Sequence, residues 1–207
     1  MTNTSSSRGR QSNPLAREER RQQILAAALD CFAAKGFHAA TTAEISAAAG
    51  ISVAGLYQYF PSKEDLVAAI VAWDLGENIR RVRHLRDSPD FMSGIDDILH
   101  EMTRTTAIGH HSLRLEILSE AARSPRIAEL LAEADAKLID EQTQAVRNAQ
   151  QRGQVDPQLD PRYVAIALNS LSDGALARLC LPPEARGPFV LACMDMVRRA
   201  LNVPQAR

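Results

Sequence analysis

Apolar residues recur every three or four positions through most of the chain, the rhythm of helices with one buried face. From about 16 to 35, Ile24, Leu25, Ala28, Leu29 and Phe32 share a face and predict a helix. Gly36 supplies the usual left-handed terminator, and Phe37 follows where an apolar residue folds back on the last turn. Thr41 and Thr42 offer cap oxygens for a short helix over 43–49 that stops at Gly50, and Ser52 caps another over 53–60. Pro61 breaks that helix. Ser62, with Glu64 and Asp65 in the first turn, then opens a long one that carries Leu66, Ile70 and Trp73 inward.

A loop is expected over 87–90, followed by helical patterns over 91–106 and 112–123. Ser124 and Pro125 are a cap and a first-turn proline, and the helix they open carries Ile127, Leu130, Leu131, Ala134, Leu138, Gln142 and Ala145 before ending near Gly153. Pro157 and Pro161 bracket a linker. The last two segments, 163–181 and 189–201, are apolar nearly all round, so their own domain and a second chain are expected to cover them, with Leu191 and Met194 on the shared surface. Asn169, Asp173 and Arg178 interrupt the first of these, which favours a buried helix over a membrane span.

Composition agrees with an all-α chain. Alanine and leucine abound while aromatics make up only 4% of 207 residues, so the residues that strands prefer are scarce. A net charge of -1 excludes nothing, but its distribution is uneven: the first 60 residues hold six basic and four acidic side chains, a balance of +2, which leaves -3 for the rest. Only the N-terminal part leans toward an anionic partner. Residues 1–15 contain no apolar run and read as a flexible polar arm rather than a leader, with Arg8 and Arg10 placed to reach a minor groove. Cys31, Cys180 and Cys193 form no metal-ligand spacing and are expected as free thiols in a reducing cytoplasm.

The stretch from Thr41 to Leu66, TTAEISAAAGISVAGLYQYFPSKEDL, carries the chemistry. Ala43, Ile45 and Ala48 have the spacing of a short helix, Gly50 permits a sharp turn, and Ile51 and Leu56 sit where two crossed helices pack. This is helix-turn-helix geometry, whose second helix enters the major groove. With the following L-Y-x-Y-F-x-S-K-E-D-L, the chain resembles the TetR family of one-component bacterial transcriptional regulators over roughly residues 20–70. The resemblance implies backbone phosphate contacts from Thr42, Tyr57, Tyr59 and Lys63, and a base-facing surface of Ala43, Val53, Ala54 and Gly55, with Ser52 at the helix start. Hydroxyls, an ammonium and free helix N-terminal amides are groups that hold phosphate oxygens. Where family members often carry a histidine, Tyr59 stands here, and the groove face is small and apolar. Val53 and Ala54 can touch thymine methyls but make no bidentate base bonds.

The predicted architecture is thus an arm (1–15), a three-helix DNA-binding domain (16–61) and a helical bundle (62–207) for ligand binding and dimerisation, about nine helices in all. The expected function is a bacterial, cytoplasmic, homodimeric repressor that binds double-stranded operator DNA and is released by a small-molecule inducer. It needs no cofactor or metal and does not contact a membrane. An activator of the same fold, or an all-α ligand-binding protein or enzyme without DNA binding, would share the global pattern. No nucleophile elbow or ordered catalytic triad is present. Trp73, Met102, Thr106, Arg114, Asn169 and Asp173 are the candidate pocket residues, as polar or adaptable side chains on otherwise apolar helices. Asn169 and Asp173 share a face and either bond across an interface or line a cavity. The adjacent His110 and His111 point about 100° apart on a helix and read as a solvated or pocket-lining pair rather than a metal site.

Overall fold

A computed structural model describes residues 14–104, 108–179 and 182–201. Nine helices and no strand occur among them: α1 (Pro14–Ala39), α2 (Thr42–Ala48), α3 (Val53–Tyr59), α4 (Lys63–Asp87), α5 (Phe91–Arg104), α6 (Ile108–Ala121), α7 (Pro125–Gln151), α8 (Pro161–Leu179) and α9 (Pro183–Ala200). The arm residues 1–13, Thr106, Cys180 and Leu181 lie outside the described residues, as do the side chains of Met102, His110 and His111. None of the described helices is long and apolar enough to cross a membrane.

The local signals act as the periodicity and caps require. Gly36 takes φ +79°, the chain turns there, and Phe37 folds back so that its ring meets Phe32 edge-on at 4.7 Å between centroids. Thr41 caps α2 through the Glu44 amide, and the Glu44 carboxylate accepts from the Thr41 amide at 3.0 Å, a reciprocal capping box. Ser52, Ser62 and Ser124 cap α3, α4 and α7 in turn. Two helices begin earlier than their apolar periodicity suggests. α6 opens at Ile108 rather than near 112. α9 opens at Pro183, where a missing N–H costs nothing in the first turn, and continues through Pro188.

Burial divides into two clusters. The first joins Ile24, Phe32, Ile45 and Leu56 of the short N-terminal helices to Leu66 and Ile70 of α4, and reaches on to Leu113 and Ile117 of α6 and Ile127 of α7. The second gathers Val82 and Leu85 of α4 with Phe91, Ile95, Val146, Met194 and Val197. α4 belongs to both. It runs beside α7 in the same direction, as ion pairs in step along the two helices show: Asp65 with Arg126 at 2.6 Å, then Arg83 with Glu141 at 3.0 Å. Met194 departs from the expected shared surface. It is buried in this second cluster, one turn of α9 away from Leu191, which is 72% exposed. An all-apolar helix face cannot be split between inner and outer sides by periodicity alone, because both look the same in sequence.

Candidate nucleic-acid interface and ligand cavity

The first functional surface is built by α2 and α3. Leu56 and Ile45 are wholly buried and lock α3 across α2, with Gly50 in the left-handed region at φ +65° making the turn between them. That packing turns Ala43, Ser52, Val53, Ala54 and Tyr57 to the exterior. Val53 and Tyr57 are 39% and 44% exposed. Thr42 and Gly55 are half-buried at the edge of the same surface. A Cβ added to Gly55 would lie 3.2 Å from the Ser52 cap oxygen, so glycine also leaves this cap undisturbed.

The remaining two residues are placed less simply. Tyr59 is half-buried against the first cluster, with the Arg17 guanidinium over its ring at 5.9 Å to the centroid. Lys63 is half-buried, lies 5.8 Å from the centre of the Phe32 ring, and donates to the Ala40 carbonyl at 2.8 Å. An ammonium has three N–H groups, so this bond anchors the side chain at the end of α1 while leaving donors for another acceptor.

Behind this surface, α6 and α7 tie the short helices to the rest of the chain. Glu116 of α6 accepts from the Phe37 amide at 3.0 Å, directly beneath Gly36. His38 meets Glu120 of α6 at 3.0 Å. Arg126 of α7 holds Glu64 and Asp65 in the first turn of α4. Asp65 is held below the usual carboxylate range by the Ser62 hydroxyl first and by Arg126 next.

The second surface is interior. A cavity of about 340 Å³ lies between α4, α5, α6, α7, α8 and α9. One wall is apolar, including Phe91, Ile95, Leu99 and Val146. The other collects Trp73, Asp74, Arg81, Arg114, Asn169 and Asp173. Four of the six sequence candidates, Trp73, Arg114, Asn169 and Asp173, therefore come together, and Asn169 and Asp173 line a cavity. Trp73 also packs against the first cluster, so it belongs to core and cavity wall at once.

Arg114 is the centre of the polar wall. Its side chain is only 8% exposed, and it bonds Asp173 at 3.0 Å and Asp135 at 2.9 Å, with Asp74 at 3.9 Å. Burial disfavours its charge, but the bonds to Asp173 and Asp135 outweigh that and hold it protonated. Asp74 moves the other way: burial pushes its carboxyl above the usual range despite the neighbouring Arg114 and Arg81. Asp74, Asp135, Arg81 and Gln142 were not among the sequence candidates. Polar residues of a long amphipathic helix read as its solvated side unless the partners from other helices are known, and only Gln142, placed on a core-facing stripe of α7, gave a signal. Among the described residues no group of metal-ligating side chains is assembled.

Residues 24–70 match the model of the tetR family of bacterial regulatory proteins, and residues 93–202 match that of the C-terminal part of BetI-type transcriptional repressors. The chain is 31% identical over 157 residues to the HTH-type transcriptional regulator UidR of Escherichia coli, covering 76% of this chain and 80% of the relative. It is 26% identical over 175 residues to the HTH-type transcriptional regulator TtgR of Pseudomonas putida, covering 81% and 83%. Of solved structures, Salmonella enterica GusR superposes with a TM-score of 0.79 at 27% identity, covering 94% of this chain and all of that one. The SmeT–triclosan complex shares the fold with a TM-score of 0.72 at 22% identity, covering 91% and 93%. With both halves matched in order and the helix-turn-helix intact, the chain belongs to the TetR family of bacterial transcriptional regulators.

Proposed function

We propose that the chain is a homodimeric repressor that holds operator DNA in its ligand-free state and lets go when a small molecule fills the cavity. The observation that carries this reading is the outward face of α3, where Val53 and Tyr57 stand exposed while Leu56 on the same helix is completely buried. An exposed valine and tyrosine on a helix locked by its neighbours suit a groove-reading helix better than a packing element. In this reading residues 16–61 bind DNA and 62–207 bind ligand and partner. Thr42, Ser52, Tyr57, Tyr59 and Lys63 hold phosphates, while Ala43, Val53, Ala54 and Gly55 meet base edges. The apolar reading face takes its specificity from methyl contacts and DNA shape. Such a protein works in the bacterial cytoplasm, where its operator is.

The second chain is assigned to the outer faces of α8 and α9. Tyr163, Ile166, Leu191 and Met196 are 73%, 40%, 72% and 50% exposed there, an apolar surface unusual for a lone chain. Two copies meeting on it would set two α3 helices at a fixed spacing, which a two-fold operator requires.

A mobility-shift assay with the DNA upstream of the gene tests the reading. Val53→Glu, on an exposed site, is expected to leave the fold intact and abolish the shift by setting a carboxylate against the phosphates. A variant that binds as well as the parent would remove α3 from the DNA. Leu191→Glu combined with Met196→Glu is expected to sediment as a monomer and bind DNA weakly; a dimer would move the interface elsewhere. Reporter expression with and without the gene separates repression, which should be relieved on deletion, from activation, which should be lost.

A further inference from the structure

The polar wall of the cavity is charged unevenly. Three carboxylates face Arg114: Asp173 and Asp135 within hydrogen-bond distance, and Asp74 at 3.9 Å, beyond it. The other guanidinium in the wall, Arg81, donates to the Asn78 side chain at 3.1 Å and has no carboxylate within ion-pair distance among the described residues. Glu77, which also lines the cavity, pairs with Arg80. The lining holds four carboxylates, Asp74, Glu77, Glu101 and Asp173, against the two guanidiniums Arg81 and Arg114, so negative charge is left over even after Arg80 pairs Glu77. Asp74, which the Asn78 side chain also reaches, has Arg114 at 3.9 Å as its nearest ion-pair partner among the described residues.

A second acceptor is also short of a donor. Gln142 lines the cavity, and its buried Oε1 accepts no hydrogen bond. It stands seven residues beyond Asp135 on α7, which places it about 10 Å farther along the helix axis. A buried acceptor without a donor is destabilising, and a bound N–H or O–H group would relieve it. The lining also includes Phe91, Ile95 and Leu99 of α5 and Val146 of α7, which offer only apolar surface.

We infer that this cavity takes an amphipathic organic cation: a protonated amine whose ammonium lies against Asp74, with an apolar body along α5 and α7 and, in the natural ligand, a second donor reaching Gln142. The inference rests on the reading of this cavity as the effector site. The alternative chemistry, a carboxylate drawn to Arg81, would leave Asp74 without an ammonium partner and add a further negative charge beside Asp74 and Asp173.

A matched series tests it: 4-phenylbutylamine, 4-phenylbutanol and 4-phenylbutanoate, which share a body and carry +1, 0 and -1. Binding to the intact dimer without DNA is followed by calorimetry and by Trp73 fluorescence, since Trp73 is the chain's one tryptophan and lines the cavity. The amine is expected to bind about tenfold or more tightly than the alcohol, and the carboxylate most weakly. Asp74→Asn should erase the preference for the amine over the alcohol. Equal binding of all three, binding of the carboxylate best, or no binding of any would overturn the inference, and none of these readings depends on a variant folding. Amine binding that leaves the operator complex unchanged would instead overturn ligand-controlled release and leave the cation site standing.

Discussion

The α2–α3 surface and the cavity wall are assembled in opposite ways. Every side chain of the first lies between Thr42 and Lys63, and its geometry follows from caps and one tight turn: Thr41 and Ser52 fix where two helices start, and Gly50 fixes the angle between them. The wall of the cavity draws Asp74 from α4, Arg114 from α6 and Asp173 from α8, with Asp135 of α7 bonded to Arg114. Its charges are held by each other. The reading surface has almost no charge of its own and a filled core beneath it, whereas the cavity is a gap left in a core and ringed by ion pairs. One region is shaped by packing; the other is a space beside which Arg114 is held by carboxylates from other helices.

The sharpest way to break that contrast is Arg114→Met. Removing the guanidinium strands three carboxylates, and breaking a buried ion pair costs about 3–5 kcal/mol, toward the lower end here because Asp135 and Asp173 keep some contact with water. A chain of this length should lose about 6–12 °C in Tm. The loss should depend on pH. Asp74 is already pushed above its ordinary range and rises further without Arg114, so its ionised form is penalised only in the fold. The deficit relative to the parent is therefore expected to be largest near pH 7 and to shrink as the pH falls toward 4. A loss that is the same at both pH values would assign Arg114 to packing rather than to charge compensation.

Thr41→Ala tests the other region, where one cap rather than one charge sets the structure. Loss of the cap on α2 should cost about 1 kcal/mol, read from urea unfolding. The partner in that cap has its own signature. Glu44 is lowered to about 2 by the Lys35 ammonium and by the Thr41 amide and hydroxyl. Its contribution is fully present above its ordinary pKa and is lost as the pH drops through about 2. Glu44→Gln should therefore lower stability at neutral pH, where that contribution is fully present, and flatten the acid limb, so that variant and parent converge as the pH drops through about 2. An unaltered acid limb would mean that this exposed pair is screened away.

These two regions also explain what could be read from the chain before its structure. The helix-turn-helix was legible because each signal acts within four residues of its target: a cap oxygen on an amide three positions on, a glycine at the turn, an aromatic folding back over one turn. Trp73, Arg114, Asn169 and Asp173 were legible as polar or adaptable residues on apolar helices, but not as neighbours. Asp74 and Arg81 were hidden because a charged residue every three or four positions along α4 is also what a solvated face looks like. Met194 was placed on the wrong side of α9 because large apolar residues stand on both of its sides, Met194 and Val197 inward and Leu191 and Met196 outward. Lys63 was read from its motif as a phosphate ligand; its bond to Ala40 joins residues 23 positions apart, and no periodicity encodes that.

The smallest expected effect on stability belongs to Gly55→Ala, and it separates packing from recognition within a single methyl group. Alanine favours a helix over glycine by about 0.5–1 kcal/mol. Here the added Cβ would stand 3.2 Å from the Ser52 cap oxygen and 3.8 Å from the Ile51 Cβ, so part of that gain is lost to a slightly displaced cap. The two terms oppose each other, and the change in unfolding free energy should stay within about 0.5 kcal/mol. Operator binding should respond more strongly. If the α3 backbone approaches base edges closely at Gly55, a methyl group there holds the helix off the groove, and affinity should fall about fivefold, near 1 kcal/mol. Because the methyl meets bases rather than phosphates, nonspecific binding and the salt dependence should stay as they are. An equal loss on every DNA sequence would mean that α3 has moved with its cap, and an unchanged operator affinity would place Gly55 outside the groove altogether.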